Sequence, residues 1–169
     1  MNKQFLAFLA IGLAVVGIGL YALVYSTKGS HVDLKGEILK VRVLALNDKA
    51  SLVMLDFRAT NPSDLRFVIK TVQIIIDPPQ GDPVEGAIIS KADVDNVFKY
   101  QKLLGPKYND VVSIKDTIKA HQTADRMAGA RFELPEAEID KRKAIRLRIE
   151  ELDGVIVEIV KRMATDEHR

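Results

Sequence analysis

The amino-acid sequence predicts a mainly β fold, an antiparallel β-sandwich with one inserted helix that is preceded by one transmembrane helix. Residues 5–24 form an apolar run without a charged side chain. After residue 30, six or seven short segments alternate apolar and polar side chains at the period of a β-strand, and one segment has helical spacing. Because strands and helices do not alternate as parallel βαβ units require, the sheets are predicted to be antiparallel.

The chain of 169 residues has room for one ordinary domain and a short appendage, since domains typically contain about 100–150 residues. We expect the β-sandwich to occupy most of the chain. The predicted boundaries are an N-terminal tail over 1–4, a transmembrane helix over 5–25, a linker over 26–30, the sandwich over 31–162 and a charged C-terminal tail over 163–169.

The apolar run from Phe5 to Val24 is long enough to span a bilayer, because about 20 helical residues cross a hydrocarbon core of about 30 Å. A cleaved signal peptide is the main alternative, but its apolar core is usually shorter and ends at a small-residue cleavage site. Val24-Tyr25-Ser26 matches such a site poorly. A buried core helix would keep a polar face, which this run does not have. We therefore predict a retained, single-pass signal anchor.

Small and aromatic side chains in the predicted anchor have positions that suit a membrane helix. Gly12, Gly17 and Gly19 would let a neighbouring helix approach closely in lipid. Tyr21 and Tyr25 fall near the C-terminal end, at the headgroup level that aromatic side chains favour. Basic residues occur on both sides of the run, but a very short N-terminal tail before a long apolar run is typical of a signal anchor. We expect the sandwich to lie outside the cytoplasm.

The first three predicted strands cover residues 31–46, 51–60 and 65–76, and turn residues separate them. Asn61-Pro62 ends the second strand, because proline cannot donate to a β-ladder. Alternation in the second strand predicts one buried and one solvated face. The buried face would carry Val53, Leu55, Phe57 and Ala59, and the solvated face would carry Met54, Asp56, Arg58 and Thr60.

A loop rich in proline and glycine covers residues 78–86. Ser90 and Asp93 have the spacing of a capping box, so a helix is predicted over 91–104, where Gly105-Pro106 follows. Asp153-Gly154 is typical of a type I′ hairpin. The remaining predicted elements are strands at 110–114, 123–134, 144–152 and 155–160, with a helical turn after Pro135.

The segment VMLDFRATNPSDLRFVIKTVQIII, with Asn61-Pro62 directly after a strand, resembles the group 2 late embryogenesis abundant proteins and their water-stress and hypersensitive-response domain. The resemblance implies an immunoglobulin-like or fibronectin-III-like sandwich with a helix, placed after an N-terminal membrane helix. The blocks FKYQKLLGPKYND, TADRMAGARFELPEAEIDKRK and RLRIEELDG are similar to those of uncharacterised anchored proteins of bacteria, Acidobacteria in particular. This second likeness implies a bacterial cell membrane.

The composition argues against several functional classes. A net charge of +2 gives no strong field for nucleic acid, and the lack of cysteine excludes disulfides and thiolate sites. His31, His121 and His168 do not have the spacing of metal ligands. The carboxylates near predicted turns have no nucleophile or base beside them. We therefore expect no enzymatic activity, no cofactor and no metal site.

Two sets of side chains are candidate surfaces for a partner or for lipid headgroups. Tyr100, Lys107 and Tyr108 combine aromatic rings and positive charge at the end of the predicted helix, a mixture that suits protein contact when it is exposed. The second set consists of arginines interleaved with glutamates, and it can equally be a solvated sheet face. Its members are Arg126, Arg131, Arg146 and Arg148.

Two functions are compatible with these patterns. The first is a non-catalytic accessory subunit of an integral-membrane complex, of respiratory or photosynthetic type, whose sandwich contacts partner subunits at the membrane surface. It implies a hetero-oligomer in a lipid bilayer and no nucleic-acid partner. The alternative follows from the family resemblance: a lone membrane-anchored module for stress protection or lipid binding, with an apolar cleft between its sheets.

Overall fold

The computed structural model describes Gln4, residues 12–22 and residues 34–163. The chain divides into two compact units, Met1–His31 and Val32–Arg169. In the first unit, residues 12–22 are helical, and we refer to this helix as α1; Gln4 is also helical. Within the described ranges, no helix combines the length and the hydropathy that crossing a membrane requires. Residues 5–11 and 23–25 of the predicted span lie outside the described residues, as do the predicted linker and residues 164–169 of the predicted tail.

In the second unit, the described residues form two antiparallel β-sheets, which confirms the mainly β, sandwich-like prediction. The first sheet has the strand order β1-β2-β7-β5. Each neighbouring pair in it is antiparallel. Its strands are β1 (Lys35–Asn47), β2 (Ala50–Thr60), β5 (Ala87–Ile88) and β7 (Thr123–Phe132).

The second sheet has the order β4-β3-β8-β9, and β6 also pairs with β3. These pairs are antiparallel as well. β4 and β6 have two residues each, too few to show a period of two, and the sequence did not predict them. The strands of this sheet are β3 (Phe67–Asp77), β4 (Val84–Glu85), β6 (Thr117–Ile118), β8 (Ala144–Glu151) and β9 (Ile156–Arg162).

The main hydrophobic core lies between the two sheets, where their inward-facing side chains pack together. Alternation along each strand places every second side chain in this layer. In β2, the predicted inward set from Val53 to Ala59 is buried, as expected. The largest fully buried side chains of this layer include Phe57, Phe67, Phe132, Ile74 and Ile145.

A second hydrophobic cluster covers the outer face of the first sheet. Ser90 caps helix α2 (Lys91–Tyr100) by accepting a hydrogen bond from the Asp93 backbone N–H at 3.2 Å. A 3-10 turn (Lys102–Leu104) follows the helix and ends at Gly105. We call residues 90–110 the insertion. The insertion packs Val94, Phe98 and Leu104 against Leu52, Met54 and Met127 of the sheet.

This cover makes part of the sequence prediction for β2 wrong. Met54 and Asp56 were expected to face solvent, but both are buried, since the insertion lies over that face. Only Arg58, nearer the strand end, is exposed as predicted. A period of two distinguishes the two faces of a strand but does not show whether another element covers the polar one.

Two further elements differ from their predictions. Residues 110–114 are not a strand, and Val111 makes an isolated parallel bridge to Met127. The 153–154 turn joins β8 and β9 as expected, but within it only Gly154 has positive φ, at 92°, whereas a type I′ turn needs two such residues. The helical turn predicted after Pro135 is present as the short helix α3 (Glu136–Asp140).

Candidate functional site

One side of the sandwich is crossed by a segment that passes from the second sheet to the first. Val84 pairs with Ile76 of β3, and four residues later Ile88 pairs with Ala130 of β7. Gly86 lies at the crossing point, where a Cβ atom would lie 2.5 Å from the Phe132 ring. Only glycine allows this close approach of backbone to ring. We call residues 84–89 the first crossing.

A second crossing runs from the first sheet back to the second. The Val112 N–H donates to the Met127 carbonyl at 2.8 Å, and the Lys115 N–H donates to the Ile69 carbonyl at 2.8 Å. Lys115 has a φ of 71°, in the left-handed region, where the chain turns onto the edge of β3. We call residues 110–118 the second crossing.

A cavity of about 370 Å³ lies between the two crossings and the two sheets. This volume is at the lower end of the range for small-molecule pockets, roughly 300–1,000 Å³. Most of its walls are aliphatic, because they are the edges of the core layer. The lining includes Ile69, Val72, Ala87, Ile89, Val111, Val112 and Ala128, with Thr71 and Ser113 supplying hydroxyl groups.

The rim of the cavity is also largely apolar. Ile88 and Ile114 line it and are 46% and 73% exposed, so an apolar ligand would meet hydrophobic contacts before it entered. Gln73 and the exposed Glu85 lie beside each other at the edge of the second sheet, where the Gln73 amide donates to Glu85 Oε1 at 2.9 Å. Among the described lining residues, Glu85 is the only charged one. The site can therefore hold an apolar chain.

The structure does not bring the four predicted arginines together. Arg146 and Arg148 lie on the outer face of the second sheet, two residues apart on β8. Arg126 and Arg131 belong to the first sheet, where their odd spacing on β7 places them on opposite faces. Arg131 pairs with Glu133 at 2.8 Å. These residues therefore do not form a single basic surface.

The two arginines of β8 are engaged with carboxylates. Arg146 bonds to Asp77 and lies 3.8 Å from Glu158, and Arg148 lies 3.2 Å from the same Glu158. The hydrogen bond that Arg146 donates to Asp77 is the main cause that raises the pKa of Arg146. The neighbouring carboxylates offset most of the positive charge, as the solvated-face interpretation expects.

The predicted aromatic surface at the helix end is exposed. Tyr100 and Tyr108 are 69% and 68% exposed, and Leu103 between them is 94% exposed. We call these three residues the helix-end patch. Lys107, predicted to belong to it, instead pairs with Asp95 at 2.6 Å.

A buried polar cluster holds the insertion on the sheet. Arg42 Nη2 lies 2.5 Å from Asp56 Oδ2, and the Asn109 amide donates to Asp56 Oδ1 at 2.8 Å. Arg42 also donates to the Pro106 carbonyl at 3.2 Å, and its guanidinium carbon lies 5.1 Å from the centre of the Phe98 ring. The contacts with Asn109, Pro106 and Phe98 join the sheet to the insertion.

The Asn-Pro pair that carries the family resemblance is placed where three loops meet. The buried Asn61 amide donates to the carbonyls of Leu65, Ile118 and Lys119 at 2.7, 3.1 and 3.2 Å. Pro62 beside it is exposed. Asn61 thus satisfies backbone groups that no strand partner reaches, which is a structural task.

The predicted membrane-helix residues are only partly described. A Cβ atom placed on Gly12, Gly17 or Gly19 would meet no atom within 4 Å, so each presents open space on α1. Tyr21 is helical and exposed. Tyr25 lies outside the described residues.

No family model matches the chain, and no curated protein matches it. Two solved structures are similar over most of its length. A Northeast structural genomics target is 14% identical, with 81% of this chain and 87% of that chain covered and a TM-score of 0.36. The putative ApaA protein from Bordetella pertussis is 15% identical, with 81% and 97% covered and a TM-score of 0.39. Both TM-scores are too low to support an inference about fold or function.

Proposed function

We propose that the protein is a non-catalytic, membrane-anchored β-sandwich of the immunoglobulin-like or fibronectin-III-like type that holds the apolar chain of a ligand between its sheets. The cavity of about 370 Å³ between the two crossings carries this proposal. Ligand pockets are typically concave, mostly apolar and provided with a few polar groups. This cavity combines those three properties.

The apolar lining supplies the driving force for binding. Transfer of apolar surface from water into the cavity is favourable by about 25 cal/mol per Å². The crossings make the space in advance, because Gly86 and Lys115 fix their backbone positions against the sheets. A preformed site loses less free energy to ordering when the ligand binds.

The proposed anchor over residues 5–24 would keep the sandwich beside a reservoir of suitable ligands. The intervening polar segment over residues 26–30 is too short to let the domain move far from a bilayer. The resemblance to anchored late embryogenesis abundant proteins of group 2 supports the same placement. We propose a single-pass protein of a bacterial cell membrane, with its sandwich outside the cytoplasm.

Photolabelling of the full chain in polymer-stabilised native membrane discs tests the proposed function. A photoreactive alkyl probe should label the wild-type domain. Val112→Phe adds bulk to the cavity wall and should abolish most of the labelling. Val160→Phe adds the same bulk on the exposed outer face of β9 and should leave labelling unchanged. Equal labelling of the sandwich in both variants would contradict an inter-sheet site.

The helix-end patch favours a second function, that of an accessory subunit of an integral-membrane complex. Tyr100, Leu103 and Tyr108 expose two aromatic rings and a leucine, and aromatic side chains are enriched in protein interfaces. Mild extraction should then recover stoichiometric partner chains with the wild type and lose them with Leu103→Lys. Recovery of the same chains with that variant would count against this surface.

A further inference from the structure

Three loops and the entry of the chain lie at one end of the sandwich. Residues 61–66 join β2 to β3, residues 119–122 join β6 to β7, and residues 152–155 join β8 to β9. Lys35, where β1 begins, pairs with Thr60 at the end of β2, so the chain enters the domain at the same end. We call this end the entry end.

Hydrogen bonds hold the loops of the entry end in place. The Asn61 side chain donates to the Leu65 carbonyl in one loop and to the Lys119 carbonyl in the next. Leu152, in the third loop, donates its backbone N–H to the Val68 carbonyl at 3.0 Å. The entry end therefore presents its side chains from a backbone whose position is fixed.

The entry end exposes apolar side chains beside basic ones. Leu65 and Leu152 are 49% and 58% exposed, and they line the same groove together with Arg66. Lys35, Arg66 and Lys119 are all exposed, and none of the three forms an ion pair with a carboxylate among the described residues. Exposed leucines combined with unpaired positive charge suit the interface of an anionic bilayer.

The opposite end of the sandwich has the other sign of charge. Residues 48–49, 78–83 and 133–143 connect the strands there, and they contain six carboxylates against four basic side chains. The three loops of the entry end and Lys35 contain three basic side chains against two carboxylates. An anionic surface should therefore attract the entry end and repel the opposite one.

The length of chain before the domain favours the same orientation. Nine residues, 25–33, separate the apolar run from Leu34, and fully extended they reach at most about 35 Å. The eleven residues of β2 rise by about the same distance. The opposite end would thus reach the bilayer only if the whole connection were fully extended along the sandwich.

We infer that the entry end is a membrane-docking surface, where Leu65 and Leu152 insert between anionic lipid headgroups and Arg66 and Lys119 contact their phosphates. The inference rests on the proposed anchor, and it adds to the proposed function the end of the sandwich that lies on the bilayer. Each basic residue near such a surface raises the ratio of docked to undocked domain by about fivefold.

Fluorescence quenching by lipids with brominated acyl chains tests this surface on the full chain in vesicles. The chain has no cysteine, so Ala120→Cys at the entry end and Ala137→Cys in α3 at the opposite end can each carry a single fluorophore. Both alanines are exposed. In vesicles with about one anionic lipid in three, the label at position 120 should be quenched at least about twofold more than the label at position 137.

Charge removal identifies the side chains that dock. Arg66→Gln with Lys119→Gln should lower the quenching at position 120 to nearly that at position 137. Lys141→Gln with Lys143→Gln removes the same charge from exposed positions at the opposite end and should leave the quenching at position 120 unchanged. Equal losses in the two double variants would overturn the inference, since net charge alone would then account for the docking.

Flotation of the vesicles separates failure of this inference from failure of the proposed function. If the chain floats with the vesicles but both labels are quenched equally, the docking surface is wrong and the anchored sandwich stands. If the chain does not float with the vesicles, the proposed anchor fails and the docking surface fails with it.

Discussion

The two outer faces of the sandwich carry the same kinds of ion pair in opposite surroundings. On the first sheet the insertion covers the pair of Arg42 and Asp56, and both side chains are buried. On the second sheet Arg148 and Glu158 form their pair on an open face. Under a cover, each member of an ion pair needs the other because water cannot reach it, whereas on an open face water can replace either partner.

The difference also explains why the insertion stays in place. The hydrophobic cluster of the insertion supplies favourable burial, and the polar cluster around Asp56 fixes the position of the insertion. Asn109 donates a hydrogen bond to Asp56, and the Pro106 carbonyl accepts one from Arg42. Buried polar groups that are satisfied in only one arrangement disfavour alternative packings. The open face has no covering element among the described residues, so its side chains need no such arrangement.

The largest effect is expected from Asp56→Ala. The substitution leaves the buried Arg42 guanidinium without a counter-charge, and loss of one partner of a buried pair typically costs about 3–5 kcal/mol. Chemical unfolding of the full chain, followed by the β-sheet circular dichroism signal, measures the change. A loss below about 1 kcal/mol, the size for an exposed pair, would show that the cover does not exclude water.

The double substitution Arg42→Met with Asp56→Leu is the control for that prediction. Replacing both members of a buried pair by apolar side chains of similar volume is often neutral, so most of the lost stability should return. If the double variant is as unstable as Asp56→Ala, the contacts of Arg42 with Pro106 and Phe98 contribute more than the ion pair does.

A small effect is expected from Glu158→Gln on the open face. The variant removes the charge that Arg146 and Arg148 share, and exposed pairs contribute about 0–1 kcal/mol. The same unfolding measurement should show a change within this range, and added salt should reduce it further. A loss as large as that of Asp56→Ala would overturn the contrast between the two faces.

The smallest effect is expected from the exposed pair of Arg58 and Asp125, and it should disappear in acid. The hydrogen bond from Arg58 is the main cause that lowers the pKa of Asp125. A lowered folded pKa contributes stability above the unfolded value, about 4, which is lost as pH falls through the folded value. The difference in stability between the wild type and Asp125→Asn should therefore be constant near neutral pH and disappear in acid. A difference that grows in acid would contradict this sign.

The sequence predicted the features that depend on neighbouring residues. Alternation identified the inward set of β2, and Ser90 with Asp93 located the start of α2. The cover over Met54 and Asp56 could not be predicted, because it depends on how residues far apart in the chain pack together. Asp56 would occupy the same place in the alternation along β2 whether its side chain faced water or a buried arginine.

The candidate cavity was even less accessible to sequence analysis. Its walls come from β3, β7 and the two crossings, and neither Val72 nor Val112 has a local pattern that differs from that of an ordinary core residue. The family resemblance implied an apolar cleft between the sheets, but it did not indicate which residues line that cleft. Gly86 was the only local signal, since a glycine between two short β segments indicates a close backbone approach.

The position at which an apolar ligand contacts the chain tests the central claim most directly. After photolabelling of the full chain in native membrane discs, mass spectrometry of its peptides locates the crosslinked residues. The inter-sheet site predicts crosslinks in the sandwich on β3 and the second crossing, at or beside Val72 and Val112. Crosslinks confined to the outer faces, or to the apolar N-terminal run alone, would contradict it.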